Sequence, residues 1–110
     1  MAFRVLDDYP RRTHLDFYRP HPSPFYSVSF ELDASRLRAR ARELGVSTYA
    51  ALTWAFHRGL LQVEAFRVRL DGDDVVLHDA LQIGMTVPGP RGTFTFSTHH
   101  WQADAVAFLC

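Results

Sequence analysis

Asp71-Gly72-Asp73, set between two short apolar runs, constrains this chain more tightly than any other stretch of its sequence. Asp-Gly supplies the backbone freedom that a tight hairpin turn needs, so Phe66 to Leu70 and Asp74 to Leu77 are expected as two short strands paired through it. Further short strands are expected at Ile83 to Val87 and Thr93 to Ser97, parted by the turn-forming Pro88-Gly89-Pro90-Arg91-Gly92. Upstream of the hairpin, Phe25 to Leu32 alternates. Tyr26, Val28, Phe30 and Leu32 fall on one face and Ser27, Ser29 and Glu31 on the other, the pattern of a half-buried strand.

Two helices are expected between that strand and the hairpin. Asp33 or Ser35 can cap the first, whose apolar stripe is Leu37, Ala41 and Leu44 and which Gly45 stops. Ser47 or Thr48 opens the second, where Tyr49, Leu52, Phe56 and Leu60 line one face and a weak polar face indicates burial on more than one side. From Tyr9 to Pro24 the prolines at 10, 20, 22 and 24 leave room only for a short helical turn around Thr13 to Tyr18. Trp101 to Cys110 reads as the start of a helix whose apolar end carries neither a glycine cap nor a polar tail. The order strand, helix, helix, several strands gives an α/β layer structure, a mixed sheet with packed helices. It is expected to form one domain over residues 1–110, and the uncapped apolar end marks that domain as incomplete.

With 110 residues, 47% hydrophobic and 14% aromatic, the chain has the composition of one small packed domain. Its formal net charge is zero, which removes any long-range field for nucleic acid or an anionic membrane. All 12 basic residues are Arg, so no lysine is present for Schiff-base chemistry. The single cysteine, Cys110, permits no internal disulfide, and a reducing cytoplasm is the expected location. No apolar run approaches the ~18 residues of a membrane span, and the amino terminus has no leader-like apolar stretch.

Two constellations that invite a function are explained more simply. Arg36, Arg38, Arg40 and Arg42 flank the Leu37 stripe of a helix and, with no aromatic interleaving, make a solvated face rather than a nucleic-acid stripe. The six histidines include no His-x-x-x-His pair, and adjacent His99 and His100 do not suit one tetrahedral site, so no metal is expected.

Four blocks, in order, carry a family resemblance: Arg11-Arg12-Thr13-His14-Leu15-Asp16-Phe17-Tyr18, Phe30-Glu31-Leu32-Asp33-Ala34-Ser35, Ala65-Phe66-Arg67-Val68-Arg69-Leu70-Asp71-Gly72-Asp73-Asp74-Val75-Val76, and Thr95-Phe96-Ser97. The ordered set resembles the amino-terminal half of the chloramphenicol acetyltransferase family. That resemblance implies the first half of a two-layer fold, acetyl transfer from acetyl-CoA as co-substrate to a small-molecule hydroxyl acceptor such as chloramphenicol, and a trimer with sites between subunits. A histidine takes the hydroxyl proton and a hydroxyl donor stabilises the oxyanion. By the same resemblance Phe17 and Tyr18 match aromatics near the acceptor pocket, Phe96 to Thr98 a strand that lines it, and Arg11 an arginine that braces the catalytic histidine through an Asp. As plain structural residues, Phe17 and Phe96 would be core, Tyr18 half-buried and Arg11 solvated.

The family's catalytic histidine belongs to a His-His-x-x-x-Asp-Gly motif in its second half, which lies beyond these residues. His99-His100-Trp101-Gln102-Ala103-Asp104-Ala105 repeats the spacing with Ala105 in place of glycine. His100 as base with Asp104 as its orienting partner is therefore one reading. Loop and helix-start residues are the preferred one, because the segment follows Thr-Phe-Ser directly and alanine lacks glycine's backbone freedom. No acetyl transfer is expected from the chain alone. A non-catalytic interaction or remnant domain, associating through the exposed edge of its sheet, is the alternative.

Overall fold

The computed structural model of the chain describes residues 2–104. Its centre is the Asp-Gly hairpin. Strands β2 (Val68–Asp71) and β3 (Asp74–His78) pair antiparallel with Asp71 opposite Asp74, leaving a two-residue turn in which Gly72 takes φ +61°. A positive φ at the first turn position is the type II′ arrangement, which a side chain would strain. A short amino-terminal strand, β1 (Phe3–Val5), pairs with the other edge of β3 and completes a three-stranded sheet in the order β1-β3-β2. Val75, Val76 and Leu77 are consecutive and all buried, so the central strand is covered on both faces. Helix α1 (Arg12–Tyr18) is tied to the hairpin turn: the Arg12 guanidinium donates to the Asp73 carbonyl at 2.9 Å, and Arg19 donates to the Gly72 carbonyl and pairs with the Asp73 carboxylate at 3.0 Å.

Helix α2 (Ser35–Leu44) starts where Asp33 accepts from the Ser35 N–H at 2.9 Å. Hydrogen bonds from the Ser35 side chain and backbone hold the Asp33 carboxyl below its ordinary pKa. Gly45, at φ +70°, ends α2 in the left-handed conformation that glycine enters most freely. Helix α3 (Thr48–Gln62) is capped by Ser47, whose hydroxyl oxygen accepts from the Ala50 N–H at 3.1 Å. Beyond a 3₁₀ turn at Glu64–Arg67 and the hairpin, β4 (Ile83–Pro88) and β5 (Phe94–His99) form a separate two-stranded antiparallel sheet. The α/β class with packed helices is as the sequence indicates, and its strands make two small antiparallel sheets.

Four expectations are corrected. Phe25 to Leu32 forms no strand: residues 23–34 have no regular structure, and Tyr26 is 89% exposed. Its alternation is genuine, but an extended segment becomes a strand only by pairing, and no described strand pairs with it. The face of α3 carrying Tyr49, Leu52 and Phe56 is exposed, Phe56 by 50%, whereas His57 on the same helix is 1% exposed. The strand expected from Phe66 begins two residues later, since Glu64–Arg67 turns as 3₁₀ first. The helix expected from Trp101 is absent over residues 101–104, and its remainder lies outside the described residues.

Candidate functional site

Where α1 approaches the edge strand β2, an open groove of about 640 Å³ is lined by Tyr9, Arg11, His14, Tyr18, Tyr26 and Arg69, with Leu15, Leu70 and Val75 among its apolar lining. Its volume lies in the range of small-molecule sites. Arg11 stands at the residue preceding α1, where proline-bounded chain turns into helix, and is exposed. The Arg69 guanidinium is held by the Phe66 and Val68 carbonyls, both at 2.8 Å, and so is a fixed wall of the groove. Phe17 and Tyr18 meet edge to face with centroids 5.0 Å apart, and each lies 5.6 Å from the His21 ring. Neither is a core residue: both are more than half exposed.

The other two candidate pocket residues stand on β5. Phe96 is 79% exposed and meets Phe94 edge to face at 5.7 Å; Thr98 is exposed on the same face, two residues on. Arg11 and Tyr18 thus share one groove, while Phe17, Phe96 and Thr98 are not in its lining.

The end of β5 carries a second cluster, which joins the sheet β4–β5 to α3. The Ser97 hydroxyl lies 2.8 Å from His99 Nε2, and the Gln82 amide nitrogen lies 3.0 Å from His100 Nε2. The buried His57 ring contacts the Leu81 carbonyl through Nε2 at 2.7 Å and meets Trp101 edge-on at 5.5 Å. Trp54, one turn before His57, stacks on Trp101 at 5.4 Å and donates through its indole N–H to the Gln102 carbonyl at 2.8 Å. Sequence reasoning missed this knot. Its signal was the pairing of one large aromatic and one histidine three residues apart on α3, the spacing that puts both on one face. Asp104 lies in a bend after it, and Ala105 is outside the described residues.

No family profile matches the chain. A chloramphenicol acetyltransferase of Streptomyces acrimycini is 34% identical over 91 residues, which are 81% of this chain and 41% of that protein. A solved chloramphenicol acetyltransferase structure aligns over 97% of this chain and 52% of its own, with a TM-score of 0.80 and 26% identity. In sequence and in fold the chain is chloramphenicol acetyltransferase-like, and it spans about half the length of the proteins it matches.

Proposed function

We propose that this chain supplies the amino-terminal part of an acetyltransferase fold of the chloramphenicol type, and that acetyl transfer depends on the part of the fold these 110 residues do not contain. The supporting observation is surface. The chain exposes 8962 Å², whereas a folded monomer of 12.6 kDa exposes about 6,200 Å². Its radius of gyration is 17.3 Å, against about 13 Å for a compact chain of 100 residues. Large apolar side chains are among the exposed residues, including Phe25, Tyr26, Val28, Phe30 and Leu32 of the unpaired extended segment and Tyr49, Leu52 and Phe56 of α3. A difference of that size has the area of an obligate interface. The missing part of the fold would cover it and give Phe25 to Leu32 the strand partners its alternation calls for.

In this reading Phe17 and Tyr18 from α1 and Phe96 and Thr98 from β5 each contribute to the acceptor pocket, acetyl-CoA is the co-substrate, and Arg11 awaits the Asp of the catalytic motif. Assembly as a trimer and a cytoplasmic location come with the resemblance. Among the described residues no helix is long and apolar enough to cross a membrane. His100 is a poor substitute for the motif histidine, since its Nε2 is already engaged by the Gln82 side chain at 3.0 Å. The test is thiol release from acetyl-CoA with chloramphenicol, run on the chain and on His100→Ala. No release from either is expected; release that disappears in His100→Ala would make the His99-His100 segment a relocated active site and overturn the proposal.

The same surface supports a second reading, a non-catalytic domain that associates with other chains. Both strands of the β4–β5 sheet are edges, and Phe94 and Phe96 are exposed on β5.

A further inference from the structure

We propose that Ser97 and His99 form a nucleophile and base pair that accepts an acyl group from activated esters, a chemistry separate from the acetyltransferase reading and resting only on β4 and β5. At the end of β5 Ser97 and His99, two residues apart and therefore on one face, are half-buried, whereas Phe94, Thr95, Phe96 and Thr98 are exposed. Across the ladder Ser97 stands opposite Met85 and His99 opposite Ile83, both also half-buried, so the pair has apolar neighbours beside it on the same face. Ser97 Oγ and His99 Nε2 are 2.8 Å apart, within the reach at which an imidazole can take a hydroxyl proton. The contact joins two residues of one regular strand, so the backbone that sets their separation is held by the six paired positions of the β4–β5 ladder.

The step balances within the pair. Ser97 Oγ bonds to the acyl carbon as its proton passes to His99 Nε2. The bond from that carbon to the leaving oxygen then breaks, and the leaving phenolate takes the proton from the imidazolium. Acyl-Ser97, a free phenol and neutral His99 remain. Water repeats the sequence, giving up a proton to His99 as it attacks, and Ser97 Oγ recovers that proton on leaving, which frees the carboxylic acid.

The probe is p-nitrophenyl acetate added to the purified chain, followed by p-nitrophenol release and by mass spectrometry of the peptide containing residue 97. An acetyl group on Ser97 is expected. Ser97→Ala should remove it, and His99→Gln should slow its formation by ~10²-fold or more, since a positioned general base contributes roughly 10²–10⁴-fold. His100→Ala, which leaves the pair intact, should acetylate at the wild-type rate. Circular dichroism establishes that each variant is folded, and His99→Asn replaces any His99→Gln that is not. An unacetylated Ser97 in the wild-type chain, an acetyl group carried by another residue instead, or an unchanged rate in a folded His99 variant would each overturn the proposal.

Discussion

Phe56→Ala should cost this chain far less than its residue type suggests. Full burial of a phenylalanine contributes about 1.5–3 kcal/mol, and Phe56 is 50% exposed, so truncation should remove about 1 kcal/mol. Alanine is the better helix former by up to ~0.7 kcal/mol, which offsets part of that loss in the interior of α3. In a closed core the same change costs ~3–5 kcal/mol, because the surroundings cannot collapse into the space left behind. Urea unfolding followed by the fluorescence of Trp54 and Trp101 separates the two cases. Leu77→Ala is the control: Leu77 is 4% exposed on the central strand, and its truncation should cost ~2–5 kcal/mol in the same assay. A loss of 3 kcal/mol or more for Phe56→Ala in the chain alone would mean that α3 is already covered, and the argument from exposed surface would fail.

Gly72→Ala should lower stability by ~1–2 kcal/mol, read as a shift in the urea midpoint, because the turn needs φ +61° there. Asp33→Ala removes the acceptor for the Ser35 N–H at the start of α2. Since the native carboxyl is held below its ordinary pKa, its contribution is present at neutral pH and is lost as pH falls through that lowered value. Wild type and Asp33→Ala should therefore differ at pH 7 and converge in acid, and a difference that widened on acidification would contradict the assignment. Light scattering on the purified chain should report oligomers or aggregates that grow with concentration, as expected for uncovered apolar faces; a monomer at all concentrations would count against them.

Local signals were the legible ones. Asp71-Gly72 placed the hairpin, Gly45 and Ser47 punctuated the helices, and Pro88 to Gly92 separated β4 from β5, each because one residue type satisfies a backbone requirement that others meet poorly. What failed depended on partners distant in sequence. Phe25 to Leu32 carries a strand's alternation without a strand's neighbour, and the Tyr49, Leu52 and Phe56 face carries a core stripe without a cover. Periodicity records which face is meant to be buried and does not say which chain segment buries it. β1 was invisible because three residues are too few to show a period, and its place is fixed by the edge of β3. Of the candidate site, Arg11 and Tyr18 do share a groove, but the Ser97–His99 contact and the knot of Trp54, His57 and Trp101 emerge only when β5 is laid against β4 and α3.

Reconstitution tests the proposed dependence on the rest of the fold most directly. The chain is refolded together with the separately purified carboxyl-terminal half of a chloramphenicol acetyltransferase, and thiol release from acetyl-CoA is followed with chloramphenicol present. A positioned base contributes roughly 10²–10⁴-fold and an oxyanion donor ~10²–10³-fold, so restoring both should raise the rate far above background. Release from the mixture, with none from either component alone, is the expected result. Release from this chain alone, matched or exceeding that of the mixture, would contradict it.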